Sequence, residues 1–334
     1  MASLRQPGRF LRGTSEAERA AARDRVGDLV PLFTEVGDAK RVRVAHTPGS
    51  LAERAFRRSW AALCRGEAVE SVARRESARA VAAARLGGLD VGTLLRAGLP
   101  KDEVVRVLRR SFDAVAEPVP ESLRSRLREF LVPEPEEPEG SLPVPDFVQR
   151  LARQPRAGCT RPGRPRLVLE PPENHAEHCM TVAVYAVLLS EEFGAEPGRV
   201  FLAGLVHHLH NAGMPDSGFT GEAMLGDKLG AVMDRYREEA LTELEASGGA
   251  ELRRAAEREI REIETADGPT GRAFHAADVL DRVLQMHHYA REASFTVDQA
   301  LEEMDLVHDG PVKSFHESVL ARANLTPAND GYGR

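Results

Sequence analysis

Four side chains of this chain could hold a metal ion: His178, the adjacent pair His207 and His208, and Asp278. Imidazole nitrogen and carboxylate oxygen together favour a divalent transition metal (manganese, cobalt, nickel, iron or zinc) over calcium. All four lie in apolar stretches, where a polar group without a partner is costly to bury. A single histidine on an apolar helix is ordinarily a hydrogen-bonded core residue. Four such residues on three apolar segments strengthen the case for a shared ion, but spacing alone leaves both alternatives open. Neighbouring residues on a helix point about 100° apart. His207 and His208, if both helical, must therefore straddle any site they share.

The elements that carry these residues read as helices. Aromatics make up only 5% of the chain, and Ala, Leu, Arg and Glu are abundant, so an all-α fold is expected. Ser15-x-x-Glu18 and Ser50-x-x-Glu53 have the form of capping boxes. Phe56, Trp60 and Cys64 line one helical face, as core residues do. A further helix spans Val72–Leu86 and is broken by Gly87-Gly88, and Pro100-Lys-Asp-Glu begins another. Further on, a helix starts at Asp146 and a loop rich in Arg, Gly and Pro covers 155–166. Met180–Leu189 and Val200–His210 are predicted as apolar helices. A long charged helical stretch, 228–265, is interrupted at Ser247-Gly-Gly249. An amphipathic helix at Arg272–Arg291 and a last one at Val297–Leu306 complete the reading.

Residues 132–145 hold five prolines and four glutamates and read as a semi-rigid linker. They divide a smaller N-terminal helical region, 1–131, from a larger C-terminal domain, 146–325, with a flexible tail at 326–334. The N-terminal region shows no catalytic motif. It carries 25 Lys+Arg against 17 Asp+Glu, while the remainder carries 20 against 35. Opposite charges of this kind favour docking of the two parts. With no basic block, no RNP-like aromatic pattern and no zinc-finger spacing, nucleic acid is not the expected partner. Three cysteines without a CxxC pair argue for a reducing compartment. Cys179 is expected to be a small buried residue rather than a nucleophile. No apolar run reaches the roughly 18 residues of a membrane span. A cytoplasmic protein without a membrane partner is the expectation.

The run Glu173-Asn-His-Ala-Glu-His178 and the apolar residues after it resemble the first signature of HD-domain phosphohydrolases. The resemblance is to the bacterial 5′-deoxynucleotidase group in particular. Gly204-Leu-Val-His-His-Leu-His-Asn-Ala-Gly213 resembles the family's His-Asp block. Phe274-His-Ala-Ala-Asp278 resembles the third block, and Glu303-Met-Asp305 with Ser314-Phe-His316 resembles the end of that group. The blocks occur in order over about residues 145–320.

This resemblance implies a helical bundle and hydrolysis of a phosphoester on a nucleotide or another phosphorylated small molecule, with a homodimer as one possible assembly. It implies His178, His207 and Asp278 as metal ligands, with His208 in the fourth position. There it replaces an aspartate, so a negative charge is lost. Asn211 stands where that group has a glutamate; an amide can contact substrate but cannot take a proton. Asp216 or Glu222 is then the candidate proton carrier, and Arg164 or Arg166 the candidate phosphate contact. His275, one turn before Asp278, is within helical reach of the same site. A catalytically impaired domain that binds a nucleotide or a protein partner is the alternative expectation.

Overall fold

The Ser50 side chain accepts a hydrogen bond from the Glu53 amide at 3.2 Å and so starts an amphipathic helix that buries Phe56 and Trp60. The computed structural model describes residues 16–45, 47–133, 144–163, 165–168, 170–294, 296, 299, 307 and 313–323, with backbone only for 16–25. The N-terminal helices are α1 (Glu16–Gly37), α2 (Leu51–Cys64), α3 (Val69–Leu86), α4 (Val91–Arg96), α5 (Lys101–Asp113) and α6 (Glu121–Glu129). A single turn of 3-10 helix, Asp38–Lys40, follows α1. Two short antiparallel strands, β1 (Arg43–Val44) and β2 (Thr47–Ser50), lead into α2. Next come α7 (Asp146–Arg153), α8 (His175–Leu188), α9 (Ser190–Phe193) and α10 (Pro197–Val206). The remainder is α11 (Gly218–Leu225), α12 (Leu229–Glu262), α13 (Pro269–Ala293) and α14 (Lys313–Ala323). The fold is all-α, as composition and periodicity predict. Among the described residues no helix is long and apolar enough to cross a membrane.

Helices on both sides of the Pro/Glu-rich segment share one hydrophobic core. Trp60 of α2 meets Phe147 of α7 edge to face, with ring centroids 5.0 Å apart. Pairs of this kind contribute about 0.5–1.5 kcal/mol beyond simple burial. Tyr185 of α8 donates a hydrogen bond to the Phe33 carbonyl of α1, and the two rings lie 4.4 Å apart. α8 runs through the centre, and every one of its residues is buried. Residues 1–284 cluster as one compact unit and 285–334 as a second. The second holds the end of α13, where His288 pairs with Glu292 at 3.0 Å, and α14.

Several elements depart from the expected boundaries. α10 ends at Val206 rather than His210, and a 3-10 turn follows at Leu209–Ala212. His208, at φ −111° and ψ 22°, stands between them. α12 is kinked at Gly249, whose φ of 81° is a conformation glycine adopts at little cost. This is the break expected at 247–249. The helix expected at Val297–Leu306 and the capping Ser15 lie outside the described residues, as do residues 134–143.

Candidate metal centre

The centre is built on the first turn of α8. Asn174 accepts from the Glu177 amide at 2.9 Å, and the Glu177 carboxylate accepts from the Asn174 amide at 3.0 Å. This reciprocal cap fixes where the helix starts and places His178 one turn inside it, fully buried. α10 crosses α8 closely because residue 204 is glycine. A Cβ there would lie 2.5 Å from the Ala183 Cα. The close crossing brings His207, at the C-terminal end of α10, within a ring-centroid distance of 5.1 Å of His178.

The hydrogen bonds decide which nitrogen of each ring faces the centre. His178 Nδ1 lies 2.7 Å from Asp281 Oδ2, and His207 Nδ1 lies 2.7 Å from the Gly204 carbonyl. Both partners accept only, so each Nδ1 carries the hydrogen and each Nε2 presents a lone pair. Neither Nε2 has a hydrogen-bond partner among the described residues. His178 Nε2 stands 3.3 Å from Asp278 Oδ1, whose other oxygen pairs with Arg282 at 2.9 Å. With the His178 ring neutral, a cation between its Nε2 and this carboxylate would satisfy both. His178, His207 and His208 offer ligand atoms within 4.8 Å of one another. The donor set is the one that suits a divalent transition metal.

Burial keeps the His207 and His208 rings neutral, the form that can ligate. Burial, reinforced by His178, lowers the His207 pKa to about 3. Burial, with His207 and Arg156 adding to it, places His208 well below the ordinary value. Burial alone would raise Asp278, but His178, His207 and Arg282 outweigh it and the carboxyl lies below its usual range. Burial likewise raises the Cys179 thiol, which stays protonated and inert as expected.

His208 is arranged differently from the other two. Its Nδ1 donates to Asn211 Oδ1 at 2.8 Å, and Asn211 Nδ2 donates to the Met214 carbonyl at 3.2 Å. Its Nε2 accepts from an Arg156 guanidinium nitrogen at 2.6 Å. The His208 lone pair is therefore already engaged. Because α10 stops at Val206, the pair does not straddle the site from one helix. The two rings instead lie 4.2 Å apart in the link between α10 and the 3-10 turn.

The remaining expected site residues fall as follows. Asp216 accepts from the backbone amides of Ala157 at 2.8 Å and Gly218 at 2.9 Å, and lies 3.7 Å from His175 Nε2. Glu222 is half-buried on α11, and no hydrogen bond or ion pair links it to the imidazoles among the described residues. Arg166 donates to the carbonyls of Ala157 at 3.1 Å and Ser217 at 3.0 Å and so ties two loops together. Arg164 lies outside the described residues. His275 does not turn into the centre: its Nε2 donates to the Ile263 carbonyl at 2.9 Å. A cavity of about 80 Å³ lies apart from these histidines, among residues such as Ala55, Ala80, Leu86, Leu108, Phe130 and Val184.

Four further residues lie at or behind the centre, and of these only Asp281 carries a signal in its spacing. Arg156 is delivered by a backbone bridge in which its amide donates to the Glu173 carbonyl at 2.8 Å. His175 stacks on His208 with centroids 4.8 Å apart and planes 14° from parallel. Asp281 lies three residues after Asp278 on one helical face, a readable i,i+3 relation. Lys40 donates to Asp281 Oδ1 at 2.5 Å across 241 residues of sequence.

A family model described as an HD domain matches residues 148–318, just over half of the chain. No curated protein matches the chain, and no solved structure matches it. The chain belongs to the HD-domain family.

Proposed function

We propose that the protein is a metal-dependent phosphohydrolase acting on nucleotides, with His178, His207 and Asp278 as the core metal ligands. The observation that carries this reading is the pair of buried, unpartnered Nε2 atoms on His178 and His207 beside the Asp278 carboxylate. A divalent ion bound there supplies Lewis acidity toward a phosphoryl oxygen and lowers the pKa of water. Arg156 supplies a guanidinium at the edge of the centre, suited to two phosphoryl oxygens at once. Binding phosphate would draw it from His208 and release that ring as a fourth ligand. Asp216, behind His175, is the favoured proton carrier of the two carboxylates expected. Deoxynucleoside 5′-monophosphates are the first substrates to try.

One observation favours a second reading, a nucleotide-binding domain without turnover. Both Asp216 oxygens are already engaged by backbone N–H groups, from Ala157 and from Gly218. The two readings separate in one assay: phosphate release from a panel of nucleotides by protein loaded with manganese, cobalt or nickel. Turnover that disappears in His178→Ala supports the enzyme. Metal and nucleotide binding without phosphate release supports the binding domain and contradicts the enzyme.

A further inference from the structure

The histidine at the heart of the centre is held from behind by a residue outside the HD-domain match. His178 Nδ1 donates to Asp281 Oδ2 at 2.7 Å. The other Asp281 oxygen accepts from Lys40 Nζ at 2.5 Å, and the same ammonium reaches Glu173 Oε1 at 2.5 Å. Lys40, Asp281 and His178 are all buried. Lys40 arrives on the 3-10 turn Asp38–Lys40, well before the matched residues 148–318.

Glu173, His178 and Asp281 form a second group whose ligand atoms lie within 4.8 Å of one another. The Lys40 ammonium already provides a cation for its two carboxylates. Two carboxylates this close repel each other unless a positive charge lies between them. The N-terminal region grips the same stretch of chain twice more. Asn174 Nδ2 donates to Glu53 Oε2 at 3.1 Å, and Arg43 approaches Glu177 at 3.6 Å.

We propose that Lys40 is a positioning residue of the metal centre, acting through Asp281 to hold His178 with its Nε2 directed at the ion. The proposal rests on the metal reading above. Without the ammonium, Glu173 repels Asp281 and the acceptor that fixes the His178 ring turns away. The N-terminal helices are then part of the centre rather than a separate module. Partners that orient a metal-bound histidine typically contribute 10–100-fold to affinity.

The test is a double-mutant cycle on Co²⁺ affinity in the full chain, measured by competition with a chromophoric chelator. Lys40→Met is expected to weaken binding by about tenfold or more and to shift the visible absorption of the bound ion. Asp281→Asn is expected to do the same, and the double variant to be no weaker than the worse single one. A loss below about tenfold in Lys40→Met, an unshifted absorption, or losses that add in the double variant would overturn the proposal. Should Lys40→Met fail to fold by circular dichroism, Lys40→Met with Glu173→Gln removes the repulsion along with the ammonium; loss of the Lys40 anchor on Asp281 is still expected to weaken Co²⁺ binding, and wild-type affinity in that variant would overturn the proposal. Wild-type protein that takes up no Co²⁺ overturns the metal reading and this proposal with it. Wild-type binding matched by Lys40→Met overturns this proposal alone.

Discussion

Arg156 donates a hydrogen bond into Nε2 of His208 at 2.6 Å, so a guanidinium occupies the lone pair that His208 would offer to a metal ion. A metal ion bound at the proposed centre would compete with the guanidinium for that ring. Arg156→Ala frees that nitrogen and removes a positive charge beside the ion. Co²⁺ affinity is therefore expected to rise by roughly tenfold, about 1.4 kcal/mol, while phosphate affinity falls. Calorimetric titration with each ligand checks both, and weaker Co²⁺ binding by Arg156→Ala contradicts the competition.

A carboxylate in place of the His208 ring would pair with Arg156 and add negative charge at the centre. His208→Asp is expected to tighten Co²⁺ binding by at least about tenfold, because a metal ion gains more from a carboxylate than from a neutral imidazole. Chelator competition measures it. An unchanged or weaker affinity would mean that residue 208 lies outside the coordination sphere.

Gly204 allows α10 to approach α8, and its replacement by alanine puts a Cβ 2.5 Å from the Ala183 Cα. Backbone atoms cannot yield as a side-chain tip can, so the helices must separate. Overpacking of this kind costs about 1–3 kcal/mol. Gly204→Ala is expected to lower Tm by several degrees and to weaken Co²⁺ binding together, since His207 moves with α10. Loss of stability with full metal affinity would uncouple the crossing from the centre.

Away from the centre, Glu76 is buried among Arg58 and Arg79, each at 2.9 Å, with Arg75 close by. Burial alone would raise its pKa, but the arginines outweigh it and hold the carboxyl down to about 2, against an ordinary 4.5. A folded-state value below the unfolded one means stability that is present above about pH 4.5 and is lost as pH falls toward 2. The full contribution is on the order of 3 kcal/mol, most of it gone by about pH 3. Urea midpoints at neutral and acid pH should converge for wild type and Glu76→Gln as pH falls. Curves that stay parallel across this range would contradict the assignment.

How much of this was legible in the chain differs residue by residue. The apolar runs of α8 and α10 predict buried helices, and they are found. His178, His207 and His208 lie within ligating reach of one another, and Asp278 lies 3.3 Å from His178. The break after Val206 was not legible, because no glycine or proline follows it until Gly213. The chain leaves the helix there to let His208 reach Asn211 and Arg156. Arg156 and Lys40 were illegible for a related reason. Each owes its role to a partner far along the chain, and neither local propensity nor spacing encodes such a pairing. Asp281 could have been read one turn beyond Asp278. Its partner Lys40, 241 residues away, could not.

Metal binding by the Nε2 atoms of His178 and His207 underlies the proposed function. It is tested most directly by the metal content of purified protein, stripped with chelator, reloaded with Co²⁺ and measured by inductively coupled plasma mass spectrometry. Stoichiometric uptake is expected of the wild-type chain and none of His178→Ala with His207→Ala, with both proteins folded. Uptake that survives the double substitution, or a wild-type chain that retains no ion, would contradict it.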